Sequence, residues 1–218
     1  PDIYVANDVS TNTFFLNKGD GTFEDISRKA GLRDPRAGMG MAIGDPDGDG
    51  DRDYFMSYFS LETHGMFENL RVMYPGGKPG RLRFASHEDY WGFGEMSYGY
   101  VGWGTGFLDW DLDGDEDLFI AHGHVADLFE PHEKIGPQRN SLLINLLIEE
   151  GSVRFFDVTD RAGPGWNSIL HSSRGAAVAD YDLDGDPDIA ITNMQDPTQL
   201  LRNETQTNRN WLKIQLKG

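Results

Sequence analysis

Short apolar runs separated by acidic or glycine-rich segments make up most of the chain, and helical periodicity is nearly absent. The runs at 54–59, 118–121 and 189–192 are rich in aromatic and β-branched residues, which is typical of strands. Each of them follows an acidic segment. A second set of runs, rich in Gly and Ala, precedes the acidic segments at 40–44, 104–108 and 175–179. Small residues on a strand predict close approach of neighbouring backbones, and we expect each acidic segment to connect two strands.

Further apolar runs follow these strands. A second run covers 13–17, 141–145 and 199–203, and a third covers 21–25 and 153–157, with 82–85 as a weaker equivalent. Each unit then has about four short strands, an arrangement typical of propeller blades. One blade cannot bury both of its faces alone, so the core forms between neighbouring blades. The pattern predicts an all-β propeller with about four blades, the first incomplete, either closed by itself or part of a larger propeller.

The acidic segments share one nine-residue pattern, D-x-D-x-D-G-D-x-D. Alternating carboxylates and a glycine that lets the backbone turn sharply are typical of oxygen-rich calcium loops. The fifteen aspartates are Asp45, Asp47, Asp49, Asp51 and Asp53 in the first loop, Asp109, Asp111, Asp113, Asp115 and Asp117 in the second, and Asp180, Asp182, Asp184, Asp186 and Asp188 in the third. By analogy with related loops, we assign side-chain ligands to positions 1, 3, 5 and 9 and a backbone carbonyl to position 7. The sequence thus predicts three complete Ca²⁺ sites.

Two other interpretations of the acidic segments are disfavoured. A solvated acidic loop suits a single D-x-D, but here the glycine and the final aspartate recur in every copy. An EF-hand needs a glutamate at loop position 12 and a helix on each side. Position 12 is Met56, Ile120 or Ile191 in the three copies.

The chain opens with a match to the end of such a loop. Residues 1–6 align with residues 187–192, so Asp2 takes the place of a last ligand. The three earlier carboxylates of this fourth, truncated site are absent from the sequence, and we expect a fragment of a longer chain. Measured on the last ligand, the four copies fall 51, 64 and 71 residues apart. Insertions of different length therefore separate one common unit.

These loops and strands resemble the FG-GAP or VCBS repeats of integrin-type calcium-binding propellers, over nearly the whole chain. Three further segments make the resemblance more specific. They are residues 102–104, which lead to the second loop, residues 121–125, which follow it, and the terminal residues 208–218. Together they are similar to the repeat region of the cartilage acidic protein family, joined to the start of an ASPIC/UnbV domain. The resemblance implies repeats over 1–207, with 208–218 as the last blade strand or the beginning of that domain. Pro46 and Gly48 replace the more usual residues of the first loop without removing a ligand.

The amino-acid composition and net charge argue against several classes of protein function. The net charge is −17, and the three loops supply 15 of the 36 acidic residues, so three bound calcium ions would bring it to −11. A duplex nucleic-acid partner is disfavoured because phosphate binding needs basic clusters. No apolar run is long enough to cross a bilayer, and the absence of cysteine excludes disulfides and zinc-thiolate sites. Because free calcium is high outside cells, we expect an extracellular or periplasmic location.

One insertion contains a group of histidines. Residues 122–133 include His122, His124 and His132 together with Glu130 and Glu133. Such a set could bind a transition metal or serve acid–base catalysis. A hydrogen-bonded turn is the alternative, and it is the one that we favour.

A second insertion, residues 90–103, is dense in aromatic residues and glycine. Trp91, Phe93, Tyr98, Tyr100 and Trp103 could stack on sugar rings or anchor a protein partner. They could instead pack the interfaces between blades, which we favour.

The sequence therefore predicts a non-enzymatic, calcium-stabilised recognition or adhesion module with a protein or glycan partner. Two alternatives stay open. One is a carbohydrate-binding or polysaccharide-processing protein that uses the aromatic insertion, and the other is a structural subunit that docks onto a larger complex. The chain contains no nucleophile elbow, phosphate-binding glycine loop or zincin motif.

Overall fold

Four antiparallel sheets, which we number I to IV in chain order, form the molecule. The computed structural model describes residues 1–70, 73–74, 78–79, 82–125, 136–163, 166 and 170–205. Sheet I has the strands β1 (Ile3–Val5), β2 (Thr13–Asn17) and β3 (Phe23–Asp25). Sheet II has β4 (Gly38–Gly44), β5 (Asp53–Tyr58), β6 (Gly65–Asn69) and β9 (Phe84–Ser86), and β7 (Met73–Tyr74) pairs with β8 (Lys78–Pro79) in a separate ribbon.

Sheets III and IV repeat the same up-and-down order. Sheet III has β10 (Gly102–Leu108), β11 (Asp117–His122), β12 (Ser141–Asn145) and β13 (Phe155–Asp157), and sheet IV has β14 (Ser173–Ala179), β15 (Asp188–Asn193) and β16 (Gln199–Leu201). Four single-turn helices lie in the connections of the described chain: α1 (Ser27–Ala30), α2 (Gly94–Ser97), α3 (Leu147–Glu150) and a 3-10 turn (Thr159–Arg161). Within the described residues, no helix is long and apolar enough to span a lipid bilayer.

Each acidic loop closes a hairpin at the same register. The residue before the loop pairs with the last aspartate of the loop: Gly44 with Asp53, Leu108 with Asp117, and Ala179 with Asp188. The final carboxylate of every loop is therefore carried on the first residue of a regular strand. The equivalent strand of sheet I is β1, which follows Asp2 directly.

Side chains on opposite faces of one strand enter different cores, as period-two alternation requires. On β5, Phe55 packs toward sheet III, whereas Met56 and Tyr58 pack toward sheet I. On β11, Leu118 and Ile120 pack toward sheet II. The neighbouring Phe119 and Ala121 of β11 join Ile189 and Ile191 of sheet IV. The described residues thus form three cores, one between each pair of consecutive sheets.

The first strands of sheets II, III and IV run side by side, with β10 packed between β4 and β14. Glycines allow this approach. A Cβ atom added to Gly40 would lie 1.9 Å from the Trp103 carbonyl oxygen, and one added to Gly104 would lie 2.2 Å from the Ala176 nitrogen. Gly40 and Gly104 each stand five residues before a loop, so the close approach repeats from blade to blade.

The predicted all-β fold built of blades is confirmed, and most strand positions agree with the prediction. Two features differ, and one is not tested. The strand β6 was not anticipated, because its Gly-Met-Phe-Glu-Asn sequence carries a weak apolar pattern. Only sheets II and III have four strands in the described chain, whereas sheets I and IV have three. The predicted final segment, residues 208–218, lies outside the described residues.

Candidate metal centres

The three acidic loops adopt nearly the same backbone path. The glycine at position 6 has a positive φ in each: 88° at Gly50, 106° at Gly114 and 105° at Gly185. Only glycine takes this conformation without strain, which explains the residue predicted for the sharp turn. Position 4 also has a positive φ, held by Gly48 in the first loop and by Leu112 and Leu183 in the others. Gly48 is therefore the least strained residue at that position.

Hydrogen bonds within each loop turn its carboxylates inward. The position 5 carboxylate accepts the backbone N–H of position 7, at 2.9 Å from Asp51, 3.0 Å from Asp115 and 3.4 Å from Asp186. The position 1 carboxylate accepts an N–H from the same loop, at 3.1 Å from Gly50 in the first loop and 2.9 Å from Asp113 in the second. These bonds fix the side chains before any ion binds.

The carboxylate oxygens converge in every loop. The groups whose oxygens lie within 4.8 Å of one another are Asp45, Asp47 and Asp49 in the first loop, Asp109, Asp111 and Asp117 in the second, and Asp180, Asp182 and Asp188 in the third. A fourth group combines Asp111 and Asp113 with Glu149 of α3. Positions 1 and 3 thus meet in all three loops, with position 5 in the first and position 9 in the other two.

Several carboxylate oxygens of the three loops are buried without a hydrogen-bond partner. In the first loop they are Asp45 Oδ1 and Asp53 Oδ2, in the second Asp111 Oδ1, Asp113 Oδ2 and Asp115 Oδ1, and in the third Asp186 Oδ1. A buried carboxylate oxygen without a donor is costly. A hard cation takes six to eight oxygen ligands, so this donor set fits Ca²⁺.

Burial also makes the ionised carboxylates costly. It raises the pKa of Asp53 to about 8 and that of Asp117 to about 8, and repulsion from neighbouring carboxylates adds to both shifts. In the second loop, burial and the charge of Asp113 raise the pKa of Asp111 to about 6. A divalent ion among these groups would favour their charged forms.

Position 7 is more buried than the sequence suggested. Asp115 and Asp186 are buried side chains, and Asp115 Oδ2 accepts the Ile148 N–H at 3.0 Å. Burial raises the pKa of Asp115 to about 7 and that of Asp186 to about 7. The sequence assigned only the carbonyl of this position as a ligand, and the side chain is an additional donor beside the site.

The last carboxylate of each loop has a constant partner at the end of the following strand or just beyond it. Its Oδ1 accepts the backbone N–H of an asparagine: Asn17 for Asp2 at 2.8 Å, Asn69 for Asp53 at 2.7 Å, Asn145 for Asp117 at 2.8 Å and Asn203 for Asp188 at 2.9 Å. We call these four residues the loop-end asparagines. Asp2, predicted as the last ligand of a truncated fourth site, therefore accepts the same backbone hydrogen bond as the other three, although it is exposed and they are buried.

Two loop-end asparagines also join one blade to the loop of the blade before it. Asn145 Nδ2 donates to the Pro46 carbonyl at 2.7 Å, and Asn203 Nδ2 donates to the Trp110 carbonyl at 2.8 Å. Pro46 and Trp110 both occupy loop position 2. Glu116 adds a second link, because its Oε2 accepts the Asp45 N–H at 2.6 Å. The loops are thus part of the interfaces between blades.

Charged residues from outside the loops also reach them. Glu149 meets Asp111 and Asp113, and Arg202 pairs with Asp182 at 2.8 Å and with Asp184 at 3.1 Å. Sequence reasoning missed both, because they lie 18 to 38 residues from those aspartates and belong to no motif.

Of the histidines in the insertion 122–133, His122 is part of a hydrogen-bond chain with His64. The Tyr58 N–H donates to His64 Nδ1 at 3.1 Å, so His64 carries its proton on Nε2. His64 Nε2 lies 3.2 Å from His122 Nε2, and His122 Nδ1 lies 3.0 Å from the Arg139 carbonyl oxygen. Both imidazole rings are neutral, and each of their four nitrogens donates or accepts a hydrogen bond. His132, Glu130 and Glu133 lie outside the described residues.

The aromatic insertion divides between core and surface. Trp91 and Phe93 are buried in the core between sheets II and III. The Trp103 Nε1 donates to the Gly123 carbonyl at 2.7 Å, and the Arg174 guanidinium lies 4.4 Å from the Trp103 ring centre. Tyr98, in contrast, is 57% exposed. The packing role fits Trp91, Phe93 and Trp103, while Tyr98 remains available at the surface.

Comparisons with known proteins agree with this architecture. Residues 1–56 match the model of an FG-GAP-like repeat. The chain is 25% identical over 98% of its length to cartilage acidic protein 1 of Homo sapiens, and 25% and 24% identical over the same share to the proteins of that name in Xenopus tropicalis and Mus musculus. It spans 29% to 30% of the length of these relatives. The resemblance drawn from the sequence is confirmed.

Proposed function

Starting from a chain that carries an FG-GAP-like repeat and resembles cartilage acidic protein 1 over 98% of its length, we propose a calcium-stabilised, non-enzymatic recognition or adhesion module. It works outside the cytoplasm and presents a surface to a protein or glycan partner. Residues 1–207 form the repeats of this module, and the 15 loop aspartates together with Asp2 are its metal-binding residues. Residues 208–218 complete the last blade or begin a further domain.

One observation carries the calcium assignment. In each loop, carboxylates of positions 1 and 3 and at least one further aspartate converge to within 4.8 Å, and buried oxygens such as Asp45 Oδ1 and Asp111 Oδ1 have no hydrogen-bond donor. Carboxylates that bind no ion would be expected to point outward and hydrogen-bond to solvent water. Here the backbone N–H groups of each loop hold its carboxylates together. The mutual repulsion of these carboxylates is unfavourable, and a bound divalent cation would remove it.

Calcium, when bound, supplies positive charge and additional coordination bonds to the converged oxygens. The residues of the chain do the rest. The loop-end asparagines orient the last carboxylate, and Asn145 and Asn203 connect an ordered loop to the next blade. A loop fixed by an ion therefore stiffens two blades at once. Such coupling suits a module that must keep its recognition surface rigid.

A calorimetric calcium titration of the chelator-stripped chain tests this proposal. We expect three sites that saturate at roughly millimolar calcium, the range of extracellular modules. The melting temperature should rise with calcium concentration by mass action. A folded chain that binds no calcium would overturn the proposal.

A second candidate function rests on the surface part of the aromatic insertion. Tyr90 is 83% exposed and Tyr98 is 57% exposed, and exposed aromatic faces can stack on sugar rings. Binding of soluble oligosaccharides that disappears in a Tyr90→Ala, Tyr98→Ala double variant would favour a carbohydrate-binding protein. Cleavage of a polysaccharide by the purified chain would favour a processing enzyme instead.

A further inference from the structure

The residue just before each loop-end asparagine differs among the sheets. It is Leu16 in sheet I, Glu68 in sheet II, Ile144 in sheet III and Arg202 in sheet IV. Because the asparagine after it holds the last carboxylate of the loop, this residue stands at the edge of the loop. Its charge therefore distinguishes loops that are otherwise alike.

Arg202 contacts two of the predicted ligands of the third loop. Its Nε lies 2.8 Å from Asp182 Oδ2, and its Nη2 lies 3.1 Å from Asp184 Oδ2. The Nη1 atom also lies 3.4 Å from Glu204 Oε1. A guanidinium with two carboxylate partners is a geometrically specific counter-ion, and here the partners are positions 3 and 5 of the loop.

Acidic residues lie beside the other two loops, although only that of the first loop occupies the position of Arg202. Glu68 adds negative charge beside Asp47 and helps burial to raise the pKa of that carboxyl. Glu68 itself pairs with His87 at 3.0 Å. In the second loop, Glu149 brings its carboxylate to Asp111 and Asp113. These residues increase the negative charge around their loops, whereas Arg202 decreases it.

We propose that Arg202 is a resident counter-ion of the third loop, which a calcium ion must displace from Asp182 and Asp184, and that the third loop is therefore the weakest of the three calcium sites. This inference rests on the proposed calcium-binding function. The first two loops fill at lower calcium concentration, and the third fills last.

The size of the effect follows from the charges. A guanidinium that stays beside the loop after its displacement repels the divalent ion, and we expect this repulsion to weaken the third site about tenfold. Salt screens part of this repulsion because the side chain of Arg202 is half-exposed. Removal of the Arg202 charge should therefore strengthen the third site about tenfold and leave the other two unchanged.

Calcium titrations of the chain and of matched variants test the inference. Arg202→Gln should tighten the weakest site about tenfold, while Arg202→Lys, which keeps the charge, should leave it weak. Asp184→Asn should abolish the weakest site. The double variant Arg202→Gln, Asp184→Asn should behave like Asp184→Asn alone. Lys29→Gln is the control, because it removes an exposed charge that pairs with Glu24 in sheet I.

The outcomes separate this inference from the proposed function. Three calcium sites with no change in Arg202→Gln would overturn the role of Arg202 but leave the calcium function intact. Loss of a tight site in Asp184→Asn would also overturn it, because the third loop would then not be the weakest. Absence of calcium binding in the unaltered chain would overturn both. Melting curves in chelator confirm that each variant is folded before it is titrated.

Discussion

The side-chain amide of Asn145 donates to the backbone carbonyl of Pro46 at 2.7 Å, across 99 residues of sequence. The same amide donates to the Glu116 carbonyl at 3.3 Å. The buried side chain of Asn145 thus connects the loop of sheet III to the loop of sheet II. The contact between these two sheets depends on polar hydrogen bonds as well as on the apolar core.

Asn145→Ala should lower the free energy of unfolding by about 1–3 kcal/mol, because it leaves two carbonyls without their donor in a buried place. Urea unfolding measures the change. Asn17→Ala is the matched control, since Asn17 Nδ2 donates to the Pro1 carbonyl in an exposed position. Equal losses in the two variants would show that the link to Pro46 contributes nothing.

Asp113→Asn should remove one ligand of the second loop. In calcium at about 100 times the dissociation constant, loss of the site costs about 2.7 kcal/mol of stability, whereas in chelator the change should be small. Thermal melts in both conditions measure the difference. Asp20→Asn serves as the control, because Asp20 lies in a turn of sheet I and accepts the Thr22 N–H at 3.0 Å. Equal shifts of Asp113→Asn with and without calcium would contradict a ligand role.

Gly104→Ala should be strongly destabilising. The added Cβ would lie 2.2 Å from the backbone nitrogen of Ala176, and backbone cannot move aside as a side chain can. A loss near the upper end of about 1–3 kcal/mol is expected for overpacking of this kind. Gly175→Ala is the control at the equivalent position, where the nearest atom is the Thr192 Oγ1 at 2.8 Å. A smaller loss in Gly104→Ala than in Gly175→Ala would contradict the close packing of β10 on β14.

The His64–His122 pair should make the chain sensitive to acid. Burial lowers the pKa of His122 from 6.5 to about 4 and that of His64 well below 6.5. The neighbouring His122 and the charge of Arg36 lower the pKa of His64 further, whereas the hydrogen bond to the Arg139 carbonyl opposes part of the shift of His122. Between pH 6.5 and about 4 the unfolded chain therefore binds more protons than the folded chain. Stability is retained above this window and is lost as the pH falls through it.

The loss for His122 alone amounts to about 3 kcal/mol across the window. Urea unfolding at several pH values measures it, and His122→Asn should flatten the curve. Asp157, whose charge opposes the shift of His122, is present in both proteins and does not alter the comparison. Parallel curves for the two proteins would rule out the pair as the source of the acid sensitivity.

Local features of the molecule could be predicted from the sequence. The strands around the loops were predicted because residues 54–59 and 118–121 combine strand-type side chains with a preceding carboxylate repeat. The turn glycines followed from the same repeat, since positive φ leaves few other choices. A convergence of positions 1 and 3 is a local consequence of the loop backbone.

Contacts between blades could not be predicted in this way. Asn145 and Pro46, or Arg202 and Asp182, meet only after the sheets have paired and stacked, and no pattern in the sequence connects them. The partner of His122 proved to be His64, 58 residues earlier, and not a histidine of its own insertion. Pairings of this kind depend on the register of several strands together, and a single sequence does not specify that register.

Side-chain size across the interface between sheets II and III has a geometric consequence. Where β4 meets β10, Gly40 lets the strands of sheets II and III touch. Elsewhere between the same two sheets, Trp91, Phe93 and Phe155 keep them apart. This interface is therefore a wedge, thin at glycine and thick at the aromatic rings. The angle of that wedge, and not the length of the insertions, sets how far sheet III turns relative to sheet II.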